Sequence, residues 1–242
     1  MIVGLLHPGE MGSALGDALV GAGHEVVWAS DGRSDATRER AGAFRDAGTL
    51  EAVADASDVL LSVCPPHAAL DVASAARGFV GLYVDANAIS PATAREVAAL
   101  HPRFVDGGIV GSPPRRAGTT RLYLSGDEAS LVAALYEGTV VDARVVPDAS
   151  ALKMVYAAWS KGTAALLLAI RDVARADGVW GELQQEWRES APELFDRLAS
   201  AERSASAKGW RWIGEMEEIA VTFAAAGAPP GFHEAAAEVY RG

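Results

Sequence analysis

Along residues 1–148, short apolar runs alternate with stretches whose hydrophobic positions recur at helical spacing. Residues 2–6 and 59–63 are nearly continuous apolar runs, as expected of strands buried on both faces of a parallel sheet. The runs at 26–29, 79–84 and 104–105 continue the series, and 122–124 and 143–146 are expected as further strands near the sheet edge. Between the first two runs, residues 11–21 read as a helix ending at Gly21, a residue able to adopt a left-handed conformation. Strand and helix in alternation predict a parallel sheet covered by helices.

The pattern changes at Pro147. Residues 150–176 form one long helical pattern, with Asp148 or Ser150 as its N-cap. Shorter helices are predicted over 181–190, 191–207 and 210–226. The segment Gly227-Ala228-Pro229-Pro230-Gly231 breaks the pattern before a last helix over 232–240. The expectation is therefore an α/β domain over 1–148 and a smaller all-helical domain over 149–242. The helical part is rich in alanine, which buries little area per residue. A second copy packed against it would complete its core, so a homodimer joined through this region is expected.

Charge and composition narrow the partners. The net charge is -11, and no cluster of Lys and Arg is present to neutralise phosphates, which argues against nucleic acid and an anionic membrane surface. The longest apolar stretch, 162–170, is too short to span a bilayer, and no signal-type segment is read at the start of the sequence. Cys64 is the single cysteine, and the five histidines are scattered without metal-ligand spacing. The expectation is a cytoplasmic, metal-independent protein acting on a small molecule.

The strongest motif is Gly4-Leu5-Leu6-His7-Pro8-Gly9-Glu10-Met11-Gly12, between the first predicted strand and the first helix. That is where the fingerprint of a Rossmann-type dinucleotide-binding domain stands. Gly9 allows backbone to approach a pyrophosphate, Gly12 allows the helix to pack close, and the helix amino terminus favours an anion. His7 replaces the first fingerprint glycine, and Pro8 helps to shape the turn instead. The second strand ends in Ala29-Ser30, followed by Asp31-Gly32-Arg33-Ser34, with no acid at the position that holds an NAD ribose. Ser30, Arg33 and Ser34 suit a 2′-phosphate, whereas Asp31 opposes it. Cofactor-binding candidates are Pro8, Gly9, Glu10, Met11, Gly12, Ser30, Arg33, Ser34, Cys64, Pro65 and Asn87. NADP(H) is the expected cofactor, with NAD(H) left open.

The pattern of motifs resembles the β-hydroxyacid dehydrogenase superfamily, which includes 6-phosphogluconate and 3-hydroxyisobutyrate dehydrogenases. Pro8-Gly9-Glu10-Met11-Gly12 is similar to its glycine turn, and Asp85-Ala86-Asn87-Ala88-Ile89-Ser90-Pro91 to the segment that approaches the nicotinamide. The stretch from Asp106 to Pro114 resembles its substrate-binding loop, and that of imine reductases still more closely. Ala151-Leu152-Lys153-Met154-Val155-Tyr156 stands where the family carries a catalytic lysine. Ala157 replaces the asparagine that holds substrate in the hydroxyacid enzymes. The lysine-bearing helix and the closing Gly231-Phe232-His233 segment are most similar to a branch with a C-terminal domain of the DUF1932 type.

The resemblance implies hydride transfer between a nicotinamide and a small carbonyl or hydroxy acid, with Lys153 as general acid/base. Asn87, Ser112, Tyr156 and Ser160 are the candidates for substrate binding. Lys161, two turns beyond Lys153, reads as structural, and Arg115 and Arg116 as either an acid clamp or a solvated loop. Two alternatives stand beside this reading: imine reduction, and a non-catalytic protein that senses NADP(H).

Overall fold

The computed structural model of the chain describes residues 1–242 and divides it into two compact units, Met1–Lys153 and Met154–Gly242. The division falls within the first turns of the long helix rather than at residue 148.

The first unit is an eight-stranded sheet: β1 (Ile2–Leu5), β2 (Glu25–Trp28), β3 (Arg45–Asp46), β4 (Val59–Ser62), β5 (Leu82–Asp85), β6 (Phe104–Gly111), β7 (Thr120–Ser125) and β8 (Val141–Val145). Their order is β3-β2-β1-β4-β5-β6-β7-β8. All neighbours are parallel except β6 and β7. The chain builds outward from β1 through β2 to β3, then returns to β4 on the other side. Ligands of open α/β sheets bind at such a reversal, beyond the carboxyl ends of the strands.

Side chains alternate across the sheet, as a period of two requires. Val3, Leu5, Trp28, Leu61 and Val84 share one buried face with Leu15 and Leu19 of α1 (Glu10–Gly21). Leu60, Val27 and Tyr83 face the other side. There they meet Val53 of α3 (Leu50–Ala56), Ala69 and Ala73 of α4 (Ala69–Ala75) and Val97 of α5 (Pro91–Ala98). The short α2 (Asp35–Arg40) follows β2, and α6 (Ala129–Ala134) follows β7.

The α1 helix ends at Gly21 as expected, although the left-handed residue is Gly23 (φ +86°) and not Gly21 itself; one strand boundary differs from the sequence pattern. The β6 strand runs to Gly111 although the apolar pattern stops at Val105. Gly107 and Gly108 have weak strand propensity, and the ladder from Asp106↔Ser125 onward holds them extended as far as Gly111, which takes a positive φ (+122°) at the strand's end.

The second unit contains most of α7 (Ala149–Ala176), followed by α8 (Trp180–Ser190), α9 (Glu193–Ala225) and α10 (Gly231–Arg241). The two helices expected over 191–207 and 210–226 are one continuous α9. Gly209 lies buried inside that helix, and a Cβ there would meet Ala205 and, from α10, Tyr240 only at an ordinary contact distance of 3.9 Å. The Tyr240 hydroxyl donates to the Lys161 carbonyl at 2.6 Å. Lys161 pairs with Glu215 at 2.8 Å, its side chain only 14% exposed and that of Glu215 9%, and its ammonium lies 5.8 Å from the Trp212 ring centre. Lys161 is thus a structural lysine of α7.

Removing one partner of such a pair leaves an uncompensated buried charge. Glu215→Ala is expected to lower unfolding free energy by about 3–5 kcal/mol, and Lys161→Met/Glu215→Leu to recover most of it. Urea denaturation followed by tryptophan fluorescence checks both; a single variant as stable as the parent would contradict the assignment.

Candidate functional site

The parallel strands β1, β4 and β5 end level, with Leu5 paired to Leu61 and Ser62 to Asp85, while β6 runs on from Asp106, the partner of Asp85, to Gly111. The segments that follow therefore converge on one edge. A cleft of about 970 Å³ opens at the opposite edge, lined by residues including Met1, Asp58, Phe79 and Arg103. The candidate polar groups gather at the carboxyl edge, which is also where this topology binds ligands.

The turn after β1 leaves α1 with an open amino terminus. Gly9 is its N-cap, and the N–H of Ser13 donates to the Gly9 carbonyl at 2.8 Å. The N–H groups of Glu10, Met11 and Gly12 find no acceptor within the chain, and together with the helix dipole they suit an anion. A Cβ on Gly12 would stand 2.2 Å from the His7 carbonyl, so only glycine permits this approach. No residue other than glycine has positive φ, so His7 makes the turn in an ordinary conformation. Pro8 is buried, Met11 packs partly against the core, and Glu10 points to solvent.

Two guanidinium groups brace this turn. Arg33 donates from Nη2 to the Leu6 carbonyl at 3.1 Å, and its Nε is buried without a partner. Arg40, which the sequence reading did not single out, donates from Nε to the Pro8 carbonyl at 3.3 Å. Burial and the neighbouring Arg33 hold the His7 imidazole down at about 4, so it is neutral at pH 7. The positive charge at the turn is that of the arginines and the helix end.

The other cofactor candidates divide. The Ser34 hydroxyl caps α2, accepting from the Thr37 N–H at 3.3 Å. The Ser30 N–H donates to Asp46 Oδ1 at 3.2 Å, and the Gly48 N–H donates to the same oxygen at 2.8 Å. The Ser30 side chain, together with these backbone bonds, holds the Asp46 carboxyl below its usual range. Asn87 is buried, and its amide is spent internally: Nδ2 donates to Ser62 at 3.1 Å and Asp85 at 2.8 Å, while Oδ1 accepts from the Cys64 N–H at 2.5 Å. Asn87 therefore ties the β4 end, with Cys64 and Pro65, to the β5 end. Burial and the Asp85 charge push the Cys64 thiol up to about 12, so it stays protonated. Ser112 lies on the exposed segment after β6, with its carbonyl accepting from the Thr120 hydroxyl.

The stretch expected as a substrate loop from Asp106 is, as far as Gly111, the strand β6, and two of its residues receive the start of α7. Asp106 Oδ2 accepts from the Ser150 N–H at 2.8 Å and the Ser125 hydroxyl at 3.0 Å, and Oδ1 accepts from the Ser150 hydroxyl at 2.6 Å. Burial raises the Asp106 carboxyl above its ordinary value, and these bonds oppose the rise. Asp148 is the N-cap, accepting from the Ala151 N–H at 2.7 Å, while Ser150 lies inside the helix. Two residues beyond Asp106, a Cβ on Gly108 would lie 2.8 Å from the Ala149 carbonyl and 2.9 Å from Lys153 Cβ. Lys153, partly buried, is held against β6 just past the level at which β5 ends.

In the second unit, Ala157 is fully buried, Tyr156 is 46% exposed, and the partly buried Ser160 donates to the Ala157 carbonyl at 3.4 Å. Ser160 and Thr163 line a groove of about 300 Å³ with Arg197, Trp159 and Trp212. Arg115 and Arg116 are both exposed, in the loop between β6 and β7.

The model of NADP oxidoreductases that depend on coenzyme F420 matches residues 2–88, and that of the domain of unknown function DUF1932 matches residues 174–242. An uncharacterised 28.5 kDa protein of Methanothermus fervidus is 32% identical over 60% of this chain, and the alignment spans 59% of that protein's own length. A probable 3-hydroxyisobutyrate dehydrogenase of Mycobacterium tuberculosis is 32% identical over 82% of this chain and 69% of its own. Among solved structures, a conserved protein of unknown function with structural similarity to 3-hydroxyacid dehydrogenases superposes with a TM-score of 0.71 at 28% identity, over 100% of this chain and 96% of the other. The chain belongs to the 3-hydroxyisobutyrate dehydrogenase family, with a C-terminal domain of the DUF1932 type.

Proposed function

We propose that this chain is an NADP(H)-dependent oxidoreductase that moves a hydride between nicotinamide and a small carbonyl or hydroxy acid, with Lys153 as general acid/base. One observation carries the reading. Lys153 stands against Gly108, just beyond the sheet edge at which the glycine turn, the Cys64–Pro65 segment and Asn87 converge. The family's probable hydroxyacid dehydrogenases agree with it.

The free N–H groups of Glu10, Met11 and Gly12 and the Arg33 guanidinium fit the phosphates of a dinucleotide. When bound, the nicotinamide supplies or accepts the hydride. Lys153 delivers a proton to the substrate oxygen on reduction and takes it back on oxidation. Asn87 acts here as a brace for the β4 and β5 ends, and Ser112, Tyr156 and Ser160 remain the candidate substrate contacts.

The preference for NADP(H) rests on charge. Arg33 and Arg40 flank the turn, and the one carboxylate hydrogen-bonded at the end of β2, Asp46, is already engaged by Ser30 and Gly48 and lies near Arg38. A 2′-phosphate pairs well with such guanidinium groups.

A homodimer through the helical unit belongs to the same reading. Val155, Trp159, Leu166 and Val173 are 56%, 61%, 46% and 62% exposed. At about 100° per residue they lie within about 40° of one another on α7. An apolar stripe of this kind marks an interaction surface.

Titration with NADPH and NADH, followed by tryptophan quenching, is expected to show tighter NADPH binding, with the preference reduced about tenfold or more in Arg33→Ala, a loss in the range of one charge-assisted hydrogen bond. Equal affinity for both cofactors would remove the NADP(H) assignment. In a screen of 3-hydroxy acids and cyclic imines, Lys153→Ala should lower kcat by about 10²- to 10⁴-fold with NADPH affinity unchanged. Undiminished turnover would exclude Lys153 as the acid/base, turnover of imines alone would favour imine reduction, and cofactor binding without any turnover would favour a redox-sensing role. Light scattering should give a dimer mass for the parent and a monomer mass for Trp159→Glu/Val173→Glu; a monomeric parent would overturn the dimer.

A further inference from the structure

We infer that Asp106, acting with Ser125 and Ser150, is a positioning residue that seats the first turn of α7 on β6 and thereby sets where Lys153 stands. Nothing in the established membership of the family assigns this role, and its catalytic consequence rests on the proposed role of Lys153.

The first N–H groups of a helix have no acceptors in its own ladder. In α7 the first three are all taken by side chains. The Ala149 N–H donates to Ser125 Oγ at 2.9 Å, the Ser150 N–H to Asp106 Oδ2 at 2.8 Å, and the Ala151 N–H to Asp148 Oδ1 at 2.7 Å. Asp106 also accepts the hydroxyls of Ser150 and Ser125, so one buried carboxylate joins β6, β7 and the helix start.

The seat has a second point of contact. Asp106 and Gly108 are two residues apart and lie on one face of β6; Ser150 and Lys153 are three apart and lie on one face of α7. Asp106 grips Ser150, while the missing side chain of Gly108 admits Ala149 and Lys153. Two contacts spaced along both elements fix the rotation of the helix as well as its position. A side chain as long as lysine delivers a proton to a defined place only if its Cα is held in this way, since misplacement by about 1 Å costs on the order of 10²-fold in rate.

The chain contains three lysines, Lys153, Lys161 and Lys208, so reductive methylation with ¹³C-formaldehyde labels three side chains and the amino terminus. NMR of the labelled full-length protein reads Lys153 without any substrate. In Asp106→Asn, Ser150→Ala and Gly108→Ala, the Lys153 signal is expected to shift and narrow, while those of Lys161 and Lys208 stay in place. An unchanged Lys153 signal in folded Ser150→Ala and Asp106→Asn would overturn the inference. So would equal movement of all three signals, which would mark a general loss of structure.

Turnover supplies the second readout. Ser150→Ala should lower kcat about tenfold with KM and NADPH affinity unchanged, and should have no further effect in a Lys153→Ala background, as expected of residues acting through one another. Equal losses in both backgrounds would also overturn it. If Lys153→Ala itself retains turnover, the catalytic reading fails, and the NMR result still decides whether Asp106 seats the helix.

Discussion

A helix begins with N–H groups that its own hydrogen-bond ladder cannot satisfy, and this chain resolves that constraint in opposite ways at two places. At α7 the first three N–H groups are taken by Ser125, Asp106 and Asp148, so the helix start is closed and anchored. At α1 the N–H groups of Glu10, Met11 and Gly12 remain open, beside two arginines. A closed end can hold a side chain in place, and an open end can hold an anion. The candidate chemistry of the first unit needs both at the same edge of the sheet.

The sheet supplies that edge. Because β1, β4 and β5 are parallel and end level, segments from positions 6, 63 and 86 onward emerge side by side, with β6 continuing past them to Gly111. The Asn87 amide then ties two of them together through Cys64, Ser62 and Asp85. Buried amides that spend their donors in this way rigidify the backbone around them. Burial also sets the charge: His7 is held neutral and the Cys64 thiol protonated, which leaves the arginines as the cations of the turn.

Several residues changed meaning between sequence and structure, each for a physical reason. Asp106 and Gly108 belong to a segment that resembles a substrate loop, yet they lie in a strand and receive a helix. Local pattern could not reveal this, because a glycine-rich strand has little β propensity of its own and is held extended by a neighbour in another part of the chain. Ser34, a candidate phosphate ligand, also caps α2. Arg40 was not legible as a site residue, because its place beside Pro8 depends on how α2 folds back toward the first turn. The gap expected between 207 and 210 lies inside α9, which packs against α10 from a later part of the chain.

The sequence by itself determined the elements and their class. Continuous apolar runs forced strands buried on both faces, helical spacing after Pro147 forced the all-helical part, and the Gly9–Gly12 turn at the end of the first run announced an open helix terminus. These are short-range properties, written in the spacing of a few neighbouring residues. Which polar groups face a ligand and which are consumed by the protein itself was decided only by tertiary structure. Asp106 meets Ser150 across 44 positions and Arg33 meets Leu6 across 27, and contacts of that reach exist only once the sheet has brought its strand ends together.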